Sequence, residues 1–305
     1  MKKIFAAALI GAMMILGSIG AKAQTVTKSN EFSNFTNIEA SYNFDIVIKE
    51  GESKVEWIVD QMVEDLVQIY QKGNTLILSF DTKSMTKDQK KYYKGKNAPK
   101  MVLKATVYTP GFASLTLKDN VKVDASSTHF NVDGFTLSMD DETTISGLNI
   151  IAKNASLEAL GKAVAAVKFA SPKVLVKSGK KSNVKVELDS CQELTVKTDN
   201  SAALEIAGDS NIINVNNAGS AKVVICNGTA KELGLASKNS AELDMTSYNL
   251  EKADVAMVGG KAYLNASKIL KLDLKGGSLV SFMSDPSVEI VKVEKSNITR
   301  YNGKK

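Results

Sequence analysis

Between Lys173 and Tyr248 the chain reads KVLVKSGKKSNVKVELDSCQELTVKTDNSAALEIAGDSNIINVNNAGSAKVVICNGTAKELGLASKNSAELDMTSY, and it repeats itself every 19 or 20 residues. Val174-Leu175-Val176, Leu194-Thr195-Val196, Ile213-Asn214-Val215 and Leu233-Gly234-Leu235 are successive apolar-spacer-apolar triplets. A second set lies between them: Val184-Lys185-Val186, Leu204-Glu205-Ile206, Val223-Val224-Ile225 and Leu243-Asp244-Met245. Small corner residues separate the two sets, at Ser178-Gly179, Asn200-Ser201-Ala202, Gly219-Ser220-Ala221 and Asn239-Ser240-Ala241. A fixed period of this length is the signature of a solenoid.

The alternation within each triplet has period two, so Leu194, Val196, Leu204 and Ile206 face one way and Thr195, Lys197 and Glu205 the other. Gly, Asn, Ser and Asp suit the bends between them. One such turn cannot bury its own apolar face, so neighbouring turns must stack and close the core between them. The pattern predicts an all-β, single-domain parallel β-solenoid of roughly 19–20-residue repeats. At about 4.8 Å per layer, nine or ten layers make a rod of about 45 Å, right-handed if its strands are parallel.

Outward from this stretch, Phe135-Thr136-Leu137 follows Leu115-Thr116-Leu117 at the same spacing, and Asn149 to Ala159 forms a looser layer. Gly161 to Pro172 is irregular and Ala-rich. Beyond Tyr248 the expected layers are Ala253–Met257, Leu272–Leu274 and Val291–Val293, with steps near nineteen. Upstream, Ile38 to Ile48 alternates as one long strand, Val55, Trp57 and Val59 as another, and Met62 to Ile69 holds a helical turn. Gly73-Asn74 joins two apolar runs as a hairpin, and Met101 to Val107 is a further strand. The expected organisation is a leader 1–23, an N-terminal antiparallel β cap 24–110 containing a Lys-rich loop 83–100, repeats 111–301 continuous with that cap, and a polar tail 302–305.

Met1-Lys2-Lys3, the apolar run Ile4 to Leu16 and Ala21-Lys22-Ala23 have the form of a cleavable signal peptide ending near Ala23. No cysteine follows the run, and no later segment is apolar over a membrane-spanning length. The expected location is the periplasm, the cell surface or the medium. Removing Lys2, Lys3 and Lys22 lowers the formal charge of +6 to +3. Seven lysines between Lys83 and Lys100 face only Asp88, a local +6 that leaves the remainder near −3.

That segment carries the candidate binding residues Lys90, Lys91, Tyr92, Tyr93 and Lys94, a basic, aromatic-dotted pattern that suits anionic glycan, lipopolysaccharide phosphate or nucleic acid; a plain solvated loop has the same composition. Arg300 is the only arginine, so bidentate reading of phosphates is not expected, and neither is nucleic-acid binding. His129 is the only histidine, which excludes a histidine metal cluster, and no nucleophile-elbow motif is present. No catalytic residue, metal or cofactor is assigned. Asp140-Asp141-Glu142 is the densest acidic cluster in the repeats, but adjacent carboxylates on a strand point to opposite faces. Cys191 and Cys226 lie nearly two periods apart, about 9.6 Å along the stack, and are expected to be free thiols. Trp57 falls on an apolar face, while Tyr248 and Tyr263 are either exposed or packed.

The run Phe35-Thr36-Asn37-Ile38 through Asn43-Phe44-Asp45-Ile46-Val47-Ile48-Lys49-Glu50-Gly51 resembles the start of the head GIN domain of autotransporter adhesins. The hairpin Gly73-Asn74-Thr75-Leu76, the small-residue corners and Ser284-Asp285-Pro286 fit the same family, and the resemblance covers Phe35 to Tyr301. Corners that are often Ser-Gly-Ala-Ser in that family are Asn-Ser-Ala, Gly-Ser-Ala and Gly-Gly here. The resemblance implies an exported solenoid with a role in adhesion and no catalytic residues. The function expected is a non-enzymatic envelope module that presents a solenoid face to glycan or envelope protein; the alternative is a polysaccharide-acting β-helix hydrolase or lyase.

Overall fold

Residues in left-handed backbone conformation set the path of the chain. The computed structural model describes residues 24–300. Asp141, Gly161, Lys180, Asn200, Gly219 and Asn239 have φ between 56° and 72° and form one corner column. Hydrogen bonding continues through that corner: Lys181 N donates to Gly161 O at 2.8 Å, Ser201 N to Lys180 O at 2.8 Å and Ser220 N to Asn200 O at 2.6 Å. Just inside it, Ala163, Ser182, Ala202, Ala221 and Ala241 are buried, small because the chain turns on them. Each corner then needs no side chain of its own to satisfy its backbone.

The described chain is all-β, a parallel β-solenoid of about nine turns. One interior column runs Leu76, Ile38, Leu115, Leu137, Leu157, Val176, Val196, Val215, Leu235, Val255, Leu272, Ile290, each opposite the next. Its first eleven members are at most 3% exposed, and burial of each stabilises the coil by about 1.5–3 kcal/mol. The facing column runs Ile46, Val123, Ile145, Ala165, Val184, Leu204, Val223, Leu243, Ala262, Val280. On the outer walls, ion pairs link rung to rung, including Lys162–Glu142, Lys185–Glu205 and Lys271–Asp254.

Several expectations change. The alternation from Ile38 to Ile48 is two strands, Asn37–Ser41 and Asp45–Glu50, because Tyr42 (φ 68°) and Asn43 (φ 52°) turn the chain from one wall to the other. Gly161 to Pro172 is not irregular: Gly161 is a corner, and Val164–Ala170 is a regular strand burying Ala165, Val167 and Phe169. Asn149 to Ala159 belongs to the strand Thr144–Ala159, which covers two sides of one turn. Past Tyr248, Ala253 lies opposite Leu270 and Leu270 opposite Val288, steps of 17 and 18, because the corner between Tyr263 and Ala266 is short: Asp244 lies opposite Tyr263 but Leu250 already lies opposite Ala266, and the register shift between Leu250 and Lys252 restores only one residue.

The coil also begins earlier than Leu115. The strand Asn37–Ser41 pairs in parallel with Thr75–Phe80 on one side and Ser114–Lys118 on the other. Stacking order therefore departs from chain order at this end. Beyond it antiparallel pairings appear: Thr25–Glu31 on Lys54–Asp60, Lys54–Asp60 on Leu103–Thr109, and, at the expected hairpin, Val67–Lys72 on Thr75–Phe80. A 3₁₀ segment, Gln61–Leu66, buries Val63 and Leu66 over the same end.

Candidate binding surface

The Lys-rich segment is an ordered flap and not a bare loop. Its centre is a short helix, Lys87–Tyr92, started by a capping box in which Thr86 Oγ1 accepts from Gln89 N and Gln89 Oε1 accepts from Thr86 N. Asp88 in the first turn and Lys90 and Lys91 in the last have the signs the helix dipole favours. Gln89 Nε2 donates to Met62 O at 2.7 Å, and Met85, Tyr93 and Met101 pack against the core. Lys83, Lys87, Lys90, Lys91, Lys94, Lys96 and Lys100 are all exposed.

Tyr92 and Tyr93 meet edge to face, ring centroids 5.0 Å apart, but they play different parts. Tyr92 is 38% exposed beside Lys91. Tyr93 points inward and its hydroxyl donates to Asp60 Oδ2 at 3.0 Å, which also accepts from Val102 N at 3.0 Å. Burial and the Asp60 carboxylate push the Tyr93 hydroxyl up from its ordinary value, so it remains a donor. Of the five residues singled out from the sequence, Lys90, Lys91, Tyr92 and Lys94 lie outward, while Tyr93 holds the flap down.

Asp60 ends the strand Lys54–Asp60 and is fully buried. Sequence reading passes it over, since one acidic residue closing an apolar run has no distinctive pattern. Asp60→Ala should release Tyr93 and Val102, and with them the second half of the flap, at a cost of about 1–3 kcal/mol, leaving the coil intact. Limited trypsin digestion checks this: cleavage at Lys83–Lys100 should accelerate while circular dichroism is unchanged.

The outer faces of the first rungs enclose an open groove of about 590 Å³, lined by Asp45, Val47, Ile58, Lys104, Lys122 and Asp124 among others. At its side Glu56 accepts from Lys54 Nζ at 2.8 Å and from the Tyr108 hydroxyl at 3.2 Å, while the Lys54 ammonium sits over the Tyr108 ring. The hydrogen bond from Lys54 is the main reason the Glu56 carboxyl lies below its usual range. Such a charged, fully partnered carboxylate has no proton to donate.

The acidic corner is also partnered. Asp140 Oδ1 accepts from Asp141 N at 2.8 Å and from Lys180 at 3.4 Å, and Glu142 pairs with Lys162, so lysines of the next two turns offset two of its three carboxylates. Among the described residues no group of three or more His, Cys, Asp or Glu is arranged to hold a metal ion. His129 is exposed at the start of its strand. Cys191 and Cys226 are free thiols, each pushed up by burial, which suppresses the reactive thiolate. Trp57 is a core residue whose Nε1 donates to Asn30 Oδ1 at 2.8 Å. Tyr248 is wholly buried and Tyr263 is half-buried on the outer wall.

No helix among the described residues is long and apolar enough to cross a membrane; the expected leader 1–23 and tail 302–305 lie outside them. No curated protein matches the chain. Among solved structures it is similar to a "putative adhesin" from Parabacteroides merdae, 17% identical over 91% of this chain and 96% of that one, TM-score 0.44. A "putative adhesin" from Parabacteroides distasonis is also 17% identical, over 92% and 98%, TM-score 0.45. A "Putative lipid binding protein" from the same species is 12% identical over 91% and 97%, TM-score 0.48. Residues 34–286 match the model of one family, and the chain belongs to it: "Putative auto-transporter adhesin, head GIN domain".

Proposed function

We propose that this protein is a non-enzymatic binding module of the bacterial envelope, exported through its leader, and that it attaches to an anionic glycan by the flap Lys83–Lys100. The observation that carries this is charge left unneutralised on an ordered support. None of the seven flap lysines takes part in an ion pair among the described residues, while several lysines along the coil, Lys162, Lys185 and Lys271 among them, are paired rung to rung. Lys90, Lys91 and Lys94 supply the field and Tyr92 an exposed ring for a sugar face; Tyr93 and Asp60 hold them in place. Lysines without arginine favour additive, salt-sensitive attraction over bidentate reading of one group.

The enzyme alternative has less support, because Asp140 and Glu142 of the acidic corner are paired with lysines and Glu56 is held charged by Lys54. A glycan array probed with Gln24–Lys305 tests the proposal, scored for retention and for cleavage products. Sulfated or uronate-rich glycans should be retained in low salt. The triple variant Lys90→Glu, Lys91→Glu, Lys94→Glu should bind at least about tenfold more weakly, at roughly 0.5 kcal/mol per exposed charge. Cleavage products, or equal retention of neutral glycans by the triple variant, would overturn it.

A further inference from the structure

The two ends of the coil are finished differently. At the N-terminal end the core is closed by the 3₁₀ segment, the hairpin strand Val67–Lys72 and the strand Thr25–Glu31. At the other end the last strands, Ser287–Val293 and Asn297–Arg300, pair with the preceding rung on one edge and have no strand on the other among the described residues. The interior column continues to that edge: Val288, Ile290 and Val293 lie opposite the fully buried Leu270, Leu272 and Leu274. Ile290 is nevertheless 62% exposed and its neighbour Val291 61%. An open apolar strand edge is a template for another strand, and an apolar patch of a few hundred Å² marks an interaction site.

We propose that a second copy of this chain covers this end, by two-fold antiparallel pairing of Ser287–Val293 with itself. The sequence Val288-Glu289-Ile290-Val291-Lys292-Val293 is self-complementary in that direction. When Ile290 lies opposite the partner copy's Val291, Glu289 lies opposite its Lys292 and Val288 opposite its Val293. Val288 and Val293, both inward, then meet at each flank, while Ile290 meets Val291, the residue that the register shift between Leu272 and Asp273 leaves without a partner in the preceding rung. Charges meet opposite charges twice per interface, the rule the coil already follows between rungs, where Glu289 lies opposite Lys271 and Lys292 opposite Asp273. Lys292 also pairs with Glu294 of its own chain at 2.7 Å and would share its charge between the two. A closed two-fold contact stops at a dimer, and it sends the two capped, basic ends to opposite tips, on the order of 100 Å apart at ~4.8 Å per rung. A dimer of this form would bind a polyvalent surface with avidity.

Sedimentation velocity on Gln24–Lys305 over the micromolar range tests the arrangement, and a monomer–dimer equilibrium is expected. Glu289→Lys places lysine opposite lysine twice and Lys292→Glu places glutamate opposite glutamate twice, so each should weaken the dimer about tenfold. The double variant Glu289→Lys/Lys292→Glu restores both pairs and should return to the parent constant within about twofold by the same reasoning. Both side chains are exposed, so an unchanged melting temperature of each variant's monomer verifies folding. A monomer throughout, an open-ended polymer, or failure of the double variant to recover would overturn the proposal. Charge reversal at Lys90, Lys91 and Lys94 should leave the dimer unaffected, which separates this result from that of the glycan experiment.

Discussion

Tyr248→Ala is expected to destabilise the middle of the coil by about 3–5 kcal/mol, the cost of removing a large aromatic side chain from a packed interior. Tyr248 is fully buried. Its hydroxyl lies 2.8 Å from Thr229 O and 3.1 Å from Gly208 O, carbonyls of the two preceding turns. One side chain thus ties three successive turns together. Tyr248→Phe keeps the ring and removes only the donor, leaving those carbonyls short of a partner at a cost of about 1–3 kcal/mol. Urea unfolding should show the midpoint falling in the order parent, Phe, Ala. In a stack where each turn contacts only its neighbours, the alanine variant should also lose hydrogen-exchange protection first between Gly208 and Ala266. Equal midpoints for parent and alanine variant would refute the reading of Tyr248 as a cross-turn tie.

Gly208→Ala should cost a comparable amount for a different reason. Gly208 has φ 116°, a conformation L side chains rarely adopt, and a Cβ there would come within 2.3 Å of Leu188 O in the turn below. Backbone strain of about 1–3 kcal/mol adds to overpacking of a further 1–3 kcal/mol, and the neighbour that must move is a backbone carbonyl in a hydrogen-bonded ladder. The same place explains Gly228, where a Cβ would meet Gly208 O at 2.3 Å and the Tyr248 ring at 2.7 Å. Two glycines and one tyrosine form a single packed corner, in which the ring occupies the space the glycines leave. Thermal unfolding of Gly208→Ala should show a drop at least as large as that of Tyr248→Phe; an unchanged melting temperature would mean the turns are farther apart than described.

The period-two triplets between Val174 and Met245 were sufficient to set strand, face and register, because an apolar residue at every nineteenth or twentieth position can be buried only by stacking. Residue type alone was less informative where the backbone and not the side chain does the turning. Lys180 is left-handed in a column otherwise filled by Gly, Asn and Asp, and no rule of composition would place it there. Tyr42-Asn43 hid inside an unbroken alternation for the same reason: the pattern in and out survives a corner, so it cannot show that the chain has changed walls.

The candidate binding surface divides in the same way. The charge imbalance of Lys83–Lys100 is a property of the sequence. Which of its aromatic residues faces out was decided only in three dimensions, when the buried carboxylate of Asp60, 33 residues from Tyr93, took up the Tyr93 hydroxyl and left Tyr92 in solvent. Local repetition determined that this chain coils, since short-range periodicity and burial are enough to select the stack. Only the tertiary structure decided that Asn37–Ser41 inserts between two later rungs and that one end is capped while the other exposes Ile290, because those outcomes depend on contacts between segments far apart in the chain.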